Sequence, residues 1–141
     1  MQLNPSTDYA MRILLYLSAN PRVVNSVELA EMINIPMSQL IPIMTKLKHG
    51  GMVDTERGKT GGYMLNKPLS EITLWDVIHQ MERTTKLCHC LEEEDNGECS
   101  ADPQLCRIRK VYQRVQSSIE LSLQQVTLQD VAGTPDRACT A

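Results

Sequence analysis

Apolar residues recur at helical spacing along most of this chain and alternate only once, near residue 60. The first helical run holds Tyr9, Ala10, Ile13, Leu14, Tyr16 and Leu17. Ser6 or Thr7 can cap it, Asp8 sits in its first turn where a carboxylate suits the helix dipole, and Asn20 with Pro21 ends it. A second, shorter helix starts at Asn25 or Ser26 and turns Val27, Leu29, Ala30 and Ile33 inward. After a turn at Asn34, Ile35 and Pro36, a third helix runs to about His49 with Leu40, Ile43, Met44 and Leu47 inward, and Gly50 with Gly51 stops it. Pro42 lies inside this helix, where it loses the bond to the Ser38 carbonyl and is expected to kink the turn.

From Met52 to Leu65 the period changes. Met52 to Glu56 reads as a strand, Arg57 to Gly62 as a basic turn, and Tyr63 to Leu65 as a returning strand. Ser70 or Thr73 then caps a packing helix covering Leu74, Val77, Ile78 and Met81, with Trp75 in the core or at an interface. After Cys106 a long helix carries Ile108, Val111, Tyr112, Val115, Ile119, Leu123 and Val126 on one face, close to a heptad seam. Such a stripe calls for a twin, so a two-fold homodimer is expected. The predicted fold is mainly α: a winged helix-turn-helix with a two-stranded wing, plus a long dimerisation helix. Residues 1–80 form the winged DNA-binding domain, 81–103 a cysteine-containing cluster-binding loop, 104–127 the dimerisation helix, and 128–141 a C-terminal cap and disordered tail.

Charge adds a little. The chain is mildly acidic, with 14 Lys and Arg against 17 Asp and Glu, which argues against indiscriminate nucleic-acid binding. The wing is locally basic. In this arrangement the third helix enters the major groove of double-stranded DNA, with Ser38 and Gln39 near the base edges. Arg57, Lys59 and Thr60 at the wing tip, and Ser26 at the start of the second helix, are the companion contacts, while Gly61 and Gly62 permit close backbone approach. No Ser/His/Asp set, phosphate loop or nucleotide fingerprint is present, so no catalytic residue is assigned and an enzyme is not expected. His49 and His79 read as surface or packing residues.

The cysteines change the picture most. Four of five, Cys88, Cys90, Cys99 and Cys106, fall in one short acidic stretch too poor in apolar residues to order itself. The N-terminus has no basic signal region and no apolar run is long enough to span a membrane, so the chain reads as cytoplasmic, with reduced thiols and no membrane partner. Thiolates around an iron–sulfur cluster or another metal are the natural explanation. The spacing is not that of a zinc ribbon. Zinc, thiol switching and an iron–sulfur electron carrier stay open as other uses of the same thiols, although a carrier would not need the wing. Cys139 has no assigned role.

Together these residues resemble a known family: the winged-helix regulators that include the iron–sulfur regulator IscR, the nitric-oxide-responsive repressor NsrR and the cysteine-metabolism repressor CymR. The matching positions are Thr7 to Ala10 with Arg12, Ser26 to Ala30, Ile35 with Pro36, Leu40 to Leu47, and Gly51 to Val53. Arg57, Gly58, Gly61 to Tyr63, Ile72 to Ile78, and Cys106 leading into a helix that ends at Thr127 to Asp130 complete the match. The resemblance implies a homodimeric repressor of operator DNA whose affinity is set by a two-iron or four-iron cluster responding to nitric oxide, redox state or iron supply. It implies Cys90, Cys99 and Cys106 as thiolate ligands, with Cys88 competing for the place of Cys90. Members without a cluster, such as CymR, lack this cysteine set. Where the IscR branch has a ligating histidine, this chain has Arg109. Asp8 matches the acidic ligand that the NsrR branch contributes from the partner subunit, which places the chain closer to that branch. Cys88 and His89 are local alternatives for the fourth position.

Overall fold

A computed structural model describes residues 1–92, 102 and 104–133. Helices α1 (Pro5–Ala19), α2 (Ser26–Ile33) and α3 (Met37–His49) come first, and strands β1 (Val53–Glu56) and β2 (Gly62–Leu65) follow. Helix α4 (Leu74–Met81), the long α5 (Arg107–Gln125) and the short α6 (Leu128–Gly133) complete the order. The strands pair antiparallel, with Val53 opposite Leu65 and Glu56 opposite Gly62. This is the winged helix-turn-helix with a long added helix that the apolar spacing predicts.

Helix α1 begins earlier than expected. Asn4, rather than Ser6 or Thr7, is the cap, accepting from the Ser6 N–H, with Pro5 in the first helical position where its missing N–H costs nothing. Ala10, Ile13, Leu14 and Leu17 are buried. Asn25 caps α2 by accepting from the Glu28 N–H, and Asn34 closes it in a left-handed conformation. Val27 is 57% exposed, contrary to the inward placement its neighbours suggest; at the first turn of a two-turn helix it lies off the buried face. Leu40, Ile43, Met44 and Leu47 of α3 face inward as expected. The helix runs unbroken through the exposed Pro42, so the expected distortion does not interrupt it.

Leucine, isoleucine, methionine and valine make the core, in a chain that has no phenylalanine. Thr73, not Ser70, caps α4: its hydroxyl accepts from the Asp76 N–H while Asp76 Oδ2 accepts from the Thr73 N–H. The same reciprocal box recurs at the start of α6 between Thr127 and Asp130. The two boxes lie side by side. Thr73 and Thr127 form an antiparallel bridge, with the Leu74 N–H donating to the Val126 carbonyl at 2.9 Å and the Leu128 N–H to the Ile72 carbonyl at 2.8 Å. Leu128 is thereby driven fully into the core.

Helix α5 is tied to the segment that follows α4 through a polar residue. Gln116 is buried; its carbonyl accepts from the Leu87 N–H and its amide donates to the Thr85 carbonyl and to Glu120. Lys86 also reaches Glu120, at 3.2 Å. Meanwhile Ile108, Val111, Tyr112 and Val115 of α5 stay exposed, and Ile119 and Leu123 are half-buried.

Truncating Leu128→Ala should cost about 3 kcal/mol in urea unfolding, the usual loss for a fully buried leucine. A pH effect follows from the second box. Its bonds from Thr127 hold the Asp130 carboxyl below the usual carboxylate range. The stabilisation is therefore complete above the unfolded carboxylate pKa and is lost as pH falls through the lower folded value. Between about pH 5 and pH 3 the melting temperature of the wild type should drop more than that of Asp130→Ala.

Candidate nucleic-acid interface and cysteine site

Helix α3 presents Met37, Ser38, Gln39, Ile41, Pro42 and Thr45 to solvent because the alternate positions are spent on the core. No side chain caps its N-terminus at Pro36. Ser38 and Gln39, the expected base-reading residues, lie together in its first turn and are exposed. Ser26 is half-buried at the first position of α2. Beside it Glu28 accepts from the Tyr16 hydroxyl at 2.7 Å and from Arg22 at 2.5 Å, which fixes α2 on α1. Arg22 first, and then Tyr16, hold the Glu28 carboxyl below its ordinary range.

Arg57, Lys59 and Thr60 form an exposed wing tip. Gly61 and Gly62 also meet a need within the fold. A Cβ on Gly62 would lie 2.2 Å from the Val24 carbonyl oxygen, and one on Gly61 2.3 Å from that of Glu56. The backbone they approach is their own: the neighbouring Tyr63 bridges to Val24 with bonds of 2.8 and 2.9 Å in both directions. Gly62 seats the wing on the segment before α2, and Gly61 closes the turn of the hairpin itself. Lys46 and Lys48 are tied back as well, Lys46 to the Met81 carbonyl at 2.7 Å and Lys48 to the Thr55 hydroxyl at 2.6 Å.

At the foot of α5 the structure gathers three half-buried cysteines. Cys88 precedes a short turn over His89–Leu91 and Cys90 lies within it, with their sulfurs 3.2 Å apart. Cys106 is the cap residue of α5, and its sulfur accepts from the Arg109 N–H at 3.4 Å. The hydrogen bond with Cys88, then burial and the Cys88 charge, push the Cys90 thiol above its ordinary range; the Arg109 charge opposes this and Cys106 adds to it. Arg109 Nε is buried with no hydrogen-bond partner among the described residues. Cys99 and Cys139 lie outside the described residues. Asp8 is exposed and pairs with Arg12 at 3.0 Å. His89 is exposed, 3.6 Å from Glu92, and His79 stacks on Trp75 with ring centres 5.5 Å apart. Among the described residues no group of three or more His, Cys, Asp or Glu side chains is arranged to hold a metal ion. No helix among them is long and apolar enough to cross a membrane.

Two features escaped the sequence reading. Gln116 anchors the segment that leads to the cysteines, and a lone glutamine in a helix gives no warning of that. The paired boxes left a legible trace, the similar runs from Ile72 to Val77 and from Val126 to Val131, each with Thr-Leu at its second and third positions and Asp-Val at its end.

Relatives share this arrangement over nearly their whole length. The regulator of Halalkalibacterium halodurans described as HTH-type transcriptional regulator NsrR is 33% identical over 138 residues, which cover 96% of this chain and 93% of that one. Its namesake from Shouchella clausii is 32% identical, covering 96% and 91%. The solved structure of T. potens IscR superposes with a TM-score of 0.73 at 22% identity, covering 100% of this chain and 93% of that one. The Rrf2 family, described as iron-dependent transcriptional regulators, matches residues 3–134. The chain belongs to the Rrf2 family, a family of transcriptional regulators rather than enzymes, and within it is similar to proteins named NsrR.

Proposed function

We propose that this chain is a homodimeric repressor of operator DNA whose affinity is set by an iron–sulfur cluster at the foot of α5. The observation that carries the reading is the gathering of Cys88, Cys90 and Cys106 around Arg109, at the opposite end of α5 from its tie to the winged domain. The donor chemistry fits. Several soft thiols in one place suit iron, and the buried Arg109 Nε has a proton to donate and no acceptor among the described residues, as expected beside a site that carries sulfur ligands. Cys90, Cys99 and Cys106 would supply thiolates, with Cys88 as the alternative to Cys90. Asp8 of the partner subunit would supply a harder, weaker carboxylate. When bound, the cluster supplies iron that reacts with nitric oxide or oxidants.

The chain's own residues would carry the signal. The exposed apolar side chains of α5, from Ile108 to Val115, need a cover, and a second α5 supplies one of the right length and spacing. Gln116 ties the backbone at Thr85 and Leu87, just before Cys88, to the middle of the helix. A change in how the cysteines are held therefore reaches α5, and through it the relative placement of two α3 helices on paired half-sites. Arg57 and Lys59 supply phosphate contacts.

A second reading has its own observation. Sulfurs 3.2 Å apart suit a thiol pair that senses oxidation directly, or a zinc site, with no cluster. Iron, sulfide and zinc analysis with an absorption spectrum, on protein purified without oxygen, decides between them. Iron and sulfide in matching amounts are expected; zinc alone, or bare reactive thiols, would transfer the sensing to the second reading. Asp8→Ala should keep the cluster but release iron to a chelator faster, and an unchanged release rate would remove Asp8 from the ligand set. Arg57→Ala should bind promoter DNA more weakly and lower the salt slope by about 1. An unchanged slope would take the wing tip off the phosphates.

A further inference from the structure

The exposed side of α3 has an unusual chemistry for a helix that reads DNA. Met37 is 37% exposed and Ile41 44%, and Pro42 lies beside them in solvent. Gln39 and Ser38 are the polar residues of the first turn, and Thr45 turns its hydroxyl back onto the Ile41 carbonyl. The face holds no arginine, and the lysines nearest to it, Lys46 and Lys48, donate to the Met81 carbonyl and the Thr55 hydroxyl.

Base edges in the major groove differ in what they ask of a side chain. Guanine presents two acceptors and is read mostly by arginine or lysine. Adenine presents an acceptor and a donor and is read by asparagine or glutamine. Thymine presents a methyl group, which apolar side chains cover. The α3 face lacks the guanine reader, has one adenine reader in Gln39, and has three apolar groups at the spacing of adjacent turns. The cationic tip formed by Arg57 and Lys59 supplies the charge complementarity to a duplex that α3 itself does not.

We propose that α3 recognises A·T-rich half-sites by covering thymine C5-methyl groups with Met37, Ile41 and Pro42, while Gln39 pairs with an adenine. This rests on the DNA-binding reading above and is independent of the cluster. It assigns sequence preference to exposed apolar residues that contribute nothing to the core.

The test uses the full-length protein on duplexes selected from a randomised pool. An A·T-rich consensus is expected. The best duplex is then remade with deoxyuridine in place of each thymidine in turn, which removes one methyl and leaves base pairing intact. Affinity should fall about fourfold at each contacted thymine, the effect of leaving one methyl unburied. Ile41→Ser should bind the parent duplex several-fold more weakly and lose the sensitivity to deoxyuridine at one position, with unfolding unchanged because the side chain is exposed. A G·C-rich consensus, or uridine duplexes bound as tightly as the parent, would overturn the proposal while leaving DNA binding intact. Retention of the pool without enrichment would overturn the proposal alone, and failure to retain any duplex would instead remove the DNA-binding reading and the proposal with it.

Discussion

The antiparallel bridge between Thr73 and Thr127 is the constraint on which the rest of the structure depends. Two reciprocal caps sit back to back, each closing the first turn of a helix and each lending a backbone N–H to the other's segment. A cap alone is worth about 1 kcal/mol. Its larger effect here is placement. The bridge sets Leu128 in the core and fixes one end of a 19-residue helix, about 28 Å long, against the winged domain. Gln116 holds the middle, and Cys106 caps the far end. Helix α5 is therefore a stiff bar clamped to the wing-bearing domain, with the cysteine segment attached to its free end.

Much of this was legible in the residues, for a physical reason. Helices α1 and α3 and the hairpin bury one face against a common core, so their period is written in apolar side chains such as Ile13, Leu17, Leu40 and Leu47. Where polar atoms do the organising, period says little. Gln116 is chosen by the carbonyl of Thr85 and the N–H of Leu87, which are distant in sequence, and no local pattern announces them. Asn4 competes as a cap with Ser6 and Thr7 just beyond it, although asparagine before proline is the stronger start signal. Val27 shows the limit of period in a helix of two turns, where one residue's rotation decides between core and water.

The functional residues divide along the same line. Exposure of Ser38, Gln39, Arg57 and Lys59 follows from the fold once the core face is known. The roles of Gly61 and Gly62 do not, because the backbone that crowds Gly62 belongs to Val24, 38 positions earlier by number (62 less 24). The cysteine cluster was visible as composition, whereas its neighbours were not. Arg109 enters the site only because Cys106 caps α5 and turns the third residue of the helix toward Cys90. The ligand role proposed for Asp8 would be played in a partner subunit and so leaves no trace in the folding of one chain, where Asp8 is exposed and pairs with Arg12.

The tethering of Lys46 and Lys48 bears on how such a regulator finds its target. Each cation withheld from the phosphates is one fewer counterion released on any stretch of duplex, whatever its sequence. That loss falls alike on matched and unmatched duplex, so base edges make up a larger share of what binding remains. A chain with a small net negative charge, one lysine bound to a backbone carbonyl and another to a threonine hydroxyl, offers a duplex little charge outside its wing.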